Sequence, residues 1–397
     1  MLTDTTRKMA SVQEIASLSP IENSDFLEVA MMKDLGWKVV VKKGEFAVGD
    51  KVVYFEIDSA INLKDLVEPL KFLADRGTRK LFTGRTPETS AFCEDYIRIK
   101  TIKLRGQVSQ GLIVAIADIQ KCFPGYTFPN IPDIGDSVGA DLTQQLKVEV
   151  WDRLVEWFDE RSQLGPRAQS HSAGNFPSWC PRTDETRLET LMEYFTDPEM
   201  LNADWECTVK EDGSSQTLFF CPEKWPDNPM QSASRRLLIK DDGSSDDWLK
   251  IIKDNKFLSE RLKTLYEYGL IGGTFDFPAK HELAIQCEHC GAKYNGNKDR
   301  KTEDHLYVFR IFDVTDQKFV TPACRYAICN FLGLEHVKVL ETCKIFQKLK
   351  TIDDFEKYVD RKSDNGNQIE GVVFKRVDDG SISFKKVSAK YLLKSDQ

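Results

Sequence analysis

"TVKEDGSSQTLFF", residues 208–220, places two strand-like runs around a charged turn, Lys210-Glu211-Asp212-Gly213. The runs, 205–209 and 217–220, are rich in β-branched and aromatic residues, and the turn contains Gly, so the stretch reads as a hairpin. Alone, the K-x-D-G tetrapeptide says no more than that, because Lys, Glu, Asp and Gly are ordinary turn residues. The same turn also sets an amine at a strand end beside a carboxylate. Which reading holds depends on the residues around it.

Downstream, ELAIQCE (282–288), HLYVFRIFDV (305–314), IEGVVFKR (369–376) and SISFKKV (381–387) are expected as strands. Helical spacing is expected over 246–268, 322–332 and 353–359, and over TDETRLETLMEYF (183–195) with Thr183 or Asp184 as cap. This half reads as α+β, built on antiparallel sheets flanked by helices. Upstream, 26–57 and 95–116 hold many short β-branched runs punctuated by glycines, which suits a small barrel or sandwich. VGDKVVYF (48–55) and IKLRGQVSQGL (102–112) look like pieces of an OB-type barrel. Such a barrel binds oligonucleotides or serves as a scaffold, and these residues leave both open. Lys103 and Arg105 fit either a phosphate contact or a solvated barrel edge. Residues 158–176, polar and without periodicity, are expected as a linker between domains 1–157 and 177–397.

The chain of 397 residues suits two domains, and 41% hydrophobic with 30% charged residues is a globular balance. No apolar run approaches the roughly 20 residues of a membrane span. MLTDTTRK at the N-terminus lacks the apolar core of a signal peptide. Ten cysteines without regular spacing point to free thiols in a reducing intracellular compartment, not a secreted framework. Cys287-x-x-Cys290 has no second pair at finger-like spacing, so free thiols are favoured over zinc. A net charge of −8 disfavours coating of nucleic acid by bulk charge, although FKKVSAKYLLK (384–394) is locally basic.

An unprotonated Lys210 amine could attack the α-phosphorus of ATP and form a lysyl-AMP phosphoramidate. That requires its pKa to fall through desolvation and nearby cations. Further elements follow Lys210 in order: Glu288 at a strand end in AIQCEHCGAKYNGN (284–297), Phe309 in FRIFD, Glu370 in EGVVFK, and Lys385 in FKKV. This ordered set resembles motifs I, III, IIIa, IV and V of the covalent nucleotidyltransferases, the superfamily of ATP-dependent polynucleotide ligases and mRNA capping enzymes. Residues 284–297 also resemble the A-I-Q-G-E-x-x-G loop of one group of RNA ligases, and FPSWCPRTDETRLE (176–189) resembles that group's lead-in. The likeness covers nearly the whole chain, most strongly from Phe176 onward.

The resemblance implies an N-terminal OB-like β-barrel followed by a nucleotidyltransferase, ATP-grasp-like ligase domain. It implies an ATP-dependent RNA ligase joining 3′-OH and 5′-phosphate ends, nicked duplexes included, through lysyl-AMP and adenylylated 5′-end intermediates, in RNA repair or nick sealing. Alternatives are a ligase of DNA or mixed nicks, a catalytically inactive nucleic-acid-binding relative, and a capping guanylyltransferase. Capping is disfavoured because only residues 386–397 follow Lys385, with no room for a C-terminal OB domain. Carried over by motif, Lys210 is the adenylylated nucleophile. Asp212, Glu288 and Glu370 hold Mg²⁺ or Mn²⁺, through water. Glu288 also touches ribose, Phe309 stacks on adenine, and Lys385 contacts the α-phosphate. Gly213 belongs to the nucleotide loop, and Arg235 matches the S-R-N element. Three departures stand out: Cys287 replaces a glycine, SRR replaces SRN, and Lys385-Lys386-Val387 replaces K-x-K, leaving Lys386 or Lys390 to supply the second lysine. RNA ends are the expected partner, and the chain is expected as a monomer.

Overall fold

The computed structural model describes residues 7–22, 24–65, 70, 73, 78–85, 91–122, 138–162, 172–182, 184–242, 246–255, 257–271 and 276–395. It divides into a unit of Met1–Ala168 with Leu392–Gln397 and a unit of Gln169–Tyr391. In the first, antiparallel strands run in the order Leu112–Ala115, Lys51–Phe55, Ala10–Pro20, Leu27–Met32, Lys38–Lys42. The long Ala10–Pro20 strand shifts register between Ile15 and Ser17, and such bulges let one strand bend. A second sheet orders Glu149–Val150, Ser59–Asn62, Ala91–Arg98 and Thr78–Arg85. Val12, Val53, Phe55, Ile61, Ile97 and Val148 pack in one core shared by the two sheets. The result is a curled antiparallel half-barrel of the OB kind. Lys103 and Arg105 are exposed on a separate hairpin of Thr101–Leu104 and Gln107–Gln110, with Arg105 and Gly106 at positive φ in the turn.

The expected linker 158–176 is more ordered at its ends than its composition implies. A helix from Trp151 continues to Ser162, and Ser172–Asn175 pairs with Leu237–Ile239. Residues 163–171 lie outside the described residues.

The second unit has the α+β character read from the sequence. One sheet orders Ser172–Asn175, Leu237–Ile239, Met230–Ser234, Ser214–Phe220, Leu283–Cys290, His305–Asp313 and Lys318–Phe319. The other orders Thr186–Arg187, Ser383–Val387, Gly371–Arg376, Trp205–Lys210 and Val339–Cys343. Helices Leu258–Tyr268 and Pro322–Leu332 cover the outer face of the first sheet, burying Leu218, Ile285, Val308 and Ile311. Helix Ile352–Val359 packs on the outer face of the second, over Trp205, Cys207, Phe374 and Phe384. Side-chain alternation along these strands then sends Glu206, Thr208, Lys210, Lys375 and Lys385 to the inner face.

Two helix expectations change. Residues 246–268 form two helices, Asp246–Asp254 and Leu258–Tyr268. The stretch 183–195 is not one helix: Thr186–Arg187 pairs in parallel with Phe384–Lys385, and two 3-10 turns follow. A tertiary strand partner outweighed the helical pattern; Thr183, one of the two expected caps, lies outside the described residues.

Candidate functional site

Lys210 ends the Trp205–Lys210 strand and pairs in register with Gly371. Glu370 precedes that glycine, so sheet pairing alone brings the two together across 160 residues of sequence. Lys210 Nζ donates to Glu370 Oε2 at 2.8 Å. Gly371 has to be glycine here, because a Cβ would fall 2.3 Å from the Lys386 carbonyl oxygen. Glu288 enters from the facing sheet and accepts the Gly213 N–H at 3.0 Å. A Cβ on Gly213 would lie 2.3 Å from the His289 carbonyl oxygen, so the charged turn closes onto the Glu288 strand only with glycine in that place.

These charges set one another. Burial pulls the Lys210 ammonium toward neutrality, but the Glu370, Glu288 and Glu185 carboxylates together outweigh it and hold its pKa above the ordinary lysine value. Burial pushes the Glu288 carboxyl up to about 7; Glu370 and Asp212 push the same way, against Lys210 and the Gly213 N–H. The site thus favours the protonated form of Lys210 and pushes the Glu288 carboxyl toward its neutral form.

Asp212 is more fully engaged than its motif suggests. Tyr391 donates its hydroxyl to Asp212 Oδ2 at 2.5 Å, and Lys298 Nζ stands 3.5 Å from the same oxygen. Asn295 donates to Oδ1. Lys298 also donates to the Tyr391 hydroxyl at 2.7 Å. Asn295, Gly296 and Asn297 all take positive φ, which aims the Asn295 amide back at the turn. Among the described residues, the three-residue group whose ligand atoms lie within 4.8 Å of one another is His281, Asp313 and Asp316, not Asp212, Glu288 and Glu370. The oxygen-only donor set still suits a hard divalent cation, and its wider spacing suits one held through water.

A cavity of about 380 Å³ opens beside Lys210, within the range of small-ligand pockets. Glu370, Asp212, Lys301, Tyr307 and Tyr391 line it. Lys301 lies 3.3 Å from both Glu211 and Asp299 and 4.9 Å from the Tyr307 ring centre.

Lys385 is on the inner face with Lys210, opposite Val373, and donates to Asp184. Burial lowers its pKa, with Arg187 and Lys210 adding to that against Asp184. Lys386 does not join them. As the next residue on a strand it points to the opposite face, where it is buried between Glu189 at 2.7 Å and Glu356 at 2.5 Å. Lys390 is exposed and pairs with Asp360. Neither lysine supplies the missing second motif lysine in this structure. Arg187, opposite Lys385 in the parallel pair, shares the inner face and was missed because its strand had been read as helix. Arg235 is exposed in the turn Ser234–Leu237 and does not line the cavity.

Phe309 is the extra residue of a β-bulge: Cys287 pairs with Val308, and Gln286 with Arg310. The bulge resets the alternation, so that Tyr307 and Arg310 share the inner face with Glu288 and Gln286. Phe309 is half-buried between them and does not line the cavity. Cys287 and Cys290, three apart on one strand, point to opposite faces. Cys287 is in the outer core, and the Cys290 thiol donates to the Asp212 carbonyl oxygen at 3.8 Å. They do not converge on a metal, and both are free thiols.

A family model described as an OB-fold domain matches residues 9–116, and one described as RNA ligase matches residues 203–392. No curated protein matches the chain. Solved structures of Naegleria gruberi RNA ligase do. A variant without ligand is 27% identical with a TM-score of 0.72, covering 98% of this chain and 99% of its own. A variant with ATP and Mn gives 26% and 0.72, covering 98% and 99%. The enzyme with PPi gives 27% and 0.71, covering 98% and 100%. Within the described residues, no helix is long and apolar enough to cross a membrane.

Proposed function

We propose that this chain, an ATP-dependent RNA ligase with an N-terminal OB-fold domain, joins RNA 3′-hydroxyl to 5′-phosphate ends through a lysyl-AMP on Lys210. The observation that carries the reading is the Lys210–Glu370 contact of 2.8 Å, with Glu288 held beside it and Lys385 on the same sheet face.

Three displacements at phosphorus follow from this arrangement. Lys210 Nζ gives up its proton and attacks the α-phosphorus of ATP; a P–N bond forms and pyrophosphate leaves. A 5′-phosphate oxygen of RNA then attacks the same phosphorus, breaking the P–N bond and forming a pyrophosphate link to AMP. The RNA 3′-hydroxyl finally attacks the 5′-phosphorus, and AMP leaves.

Glu370 and Glu288 favour the protonated form of Lys210, so the attack needs their charge to be offset. Mg²⁺ or Mn²⁺ held there by Asp212, Glu288 and Glu370 would cancel that carboxylate charge and stabilise charge on the α-phosphate. Lys385, lowered in pKa and aimed along the inner face, offers a donor to the phosphate oxygens in each displacement. Phe309, at its bulge, offers a ring face for the base, and Arg235, exposed in its turn, is placed to meet RNA phosphate. In the OB-like unit, the exposed Lys103 and Arg105 hairpin offers a further phosphate contact.

Incubation with α-labelled ATP or GTP and divalent metal, followed by a denaturing gel, tests the reading. Label from ATP on wild type but not on Lys210→Ala is expected. Label from GTP alone points to capping, and no label with any metal sinks the enzymatic reading. Nicked duplexes with RNA or DNA on each side of the nick then separate RNA sealing from DNA or mixed sealing.

A further inference from the structure

Asp299 fastens two segments of chain together at the wall of the cavity beside Lys210. It sits in the loop 291–304, which leaves the strand Leu283–Cys290 just after Glu288. Its backbone carbonyl oxygen accepts from the Asn365 and Asn367 side-chain amides, each at 3.0 Å. Its Oδ1 accepts the Ser363 hydroxyl, and its Oδ2 lies 3.3 Å from Lys301 Nζ. Ser363, Asn365 and Asn367 belong to a tight turn, closed by the Ser363 N–H donating to the Asn367 carbonyl oxygen at 2.8 Å. That turn leads through Gln368 and Ile369 into Glu370 and the strand Gly371–Arg376. One residue therefore ties the segment that follows Glu288 on one sheet to the segment that precedes Glu370 on the other.

The same loop is held in costly backbone geometry. Asn295, Asn297 and Arg300 take φ of 41°, 46° and 56°, with Gly296 at 70° among them. Asparagine tolerates this left-handed region better than most residues, but arginine does not share that advantage. Such strain persists only where the surroundings fix it, and it gathers at functional sites. Here it brings Asn295 to donate to Asp212 Oδ1, and Lys298 to the other oxygen and to the Tyr391 hydroxyl. Asn297 pins the loop locally, donating to the Lys301 carbonyl oxygen and accepting the Lys301 N–H, both at 2.8 Å. Those two bonds are internal to the loop, so they cannot fix where it lies relative to the second sheet. The bonds to Asp299 do.

Resting on the ligase reading above, we propose that Asp299 is a positioning residue for adenylylation: by stapling the loop 291–304 to the turn before Glu370, it fixes Asp212 relative to Glu370 and Lys210. Its own carboxylate is taken up by Ser363 and Lys301, so it acts through Asn295 and Lys298. Carboxylates that hold a cation through water make no bond that sets their own spacing. Partners behind them have to set it.

Two measurements test this. The first is hydrogen exchange on the full chain without nucleotide or metal. Ser363→Ala removes one half-buried hydroxyl. Peptides covering 211–214 are expected to exchange about threefold faster or more, because the Gly213 N–H, held by Glu288, lies in the turn that Asp212 anchors. A tie that only braces the loop changes exchange over 295–301 and 361–368 alone, so an unchanged 211–214 overturns the proposal. The second is Lys210 labelling from α-labelled ATP across a Mn²⁺ titration. Asp299→Ala is expected to slow labelling about 10- to 100-fold and to need more Mn²⁺, the scale of loss when a remote change misplaces a reacting group. Asp299→Asn keeps the carbonyl oxygen and the acceptor for Ser363, losing only the charge that faces Lys301. It is expected within about threefold of wild type. Ser363→Ala and Asn367→Ala each lose one bond to Asp299 and slow labelling by about three- to tenfold, which keeps the comparison if Asp299→Ala does not fold. Ser363→Ala combined with Asn295→Ala slows labelling by much less than the product of the two single effects, because both act on Asp212 through one loop. Single effects that multiply in full overturn the proposal. So does a wild-type rate in Asp299→Ala, or Asp299→Asn as slow as Asp299→Ala. Absence of any wild-type label sinks the ligase reading instead, and the exchange measurement then judges Asp299 by itself.

Discussion

Removing one hydroxyl, Tyr391→Phe, tests how Asp212 is aimed. The Tyr391 hydroxyl is 2.5 Å from Asp212 Oδ2, and the ring is buried at 8% exposure, so phenylalanine keeps the packing and loses the donor to Asp212 together with the acceptor for Lys298. A hydrogen bond to a charged acceptor contributes about 1.5–3 kcal/mol. At about 1.4 kcal/mol per factor of ten, full transfer to the adenylylation step is a loss of roughly 10- to 100-fold. Lys298 at 3.5 Å and Asn295 remain on the carboxylate, so the lower end is expected. The assay is the rate of Lys210 labelling from α-labelled ATP across a Mn²⁺ titration. Tyr391→Phe should label about tenfold more slowly and need more metal, because an Asp212 free to swing holds metal-bound water less well. Lys298→Ala should do less, since its contact is longer. A folded Tyr391→Phe enzyme with the wild-type rate and the wild-type metal curve would refute the claim that this clamp orients Asp212.

Gly213→Ala should abolish labelling and lower stability by about 1–3 kcal/mol, measured by urea melts, because the new Cβ meets the His289 carbonyl oxygen. Arg325→Met should cost about 3–5 kcal/mol, because Glu206, contacted by Arg325 Nη2 at 2.9 Å through both oxygens, is left buried without its hydrogen-bonded ion partner; Glu206→Leu in the same chain should recover much of it. Lys375 should also set a pH slope in the empty enzyme. Its folded pKa of about 7 is below the unfolded value of 10.5, so the unfolded chain binds the extra proton between them and stability rises with pH from about 7 toward 10. Glu185, Arg310, Arg325 and Glu206 face it and set the size of that slope. Lys375→Met should remove this part of the slope in melts run at stepped pH, and an unchanged slope would count against a depressed lysine there.

The ordered motifs were legible because each is local: a turn, a strand end, an E-G pair. Pairing of Lys210 with Gly371 then places Glu370 with no further information. Lys386 shows where residue type alone stops being enough. Its lysine is right for the chemistry, but strand alternation sends it to Glu189 and Glu356 while its neighbour Lys385 faces the cleft. Tyr391, Lys298 and Asn295 carried no signal, since they reach Asp212 from elements remote in sequence. Lys375 stood in plain view within EGVVFK, yet nothing in the letters says that its amine is buried without a partner.

By itself, the sequence determined that the chain is α+β, that a β-rich half comes first in the order of an RNA ligase, and which lysine and carboxylates are the candidates. Periodicity and residue type suffice for that, because they act over a few neighbouring residues. Only the tertiary structure decided which face each of those residues occupies and what charge surrounds it. Strand register, a single bulged phenylalanine and the approach of two sheets are set by packing over the whole unit, and the protonation of Lys210, Glu288 and Lys375 follows from that packing.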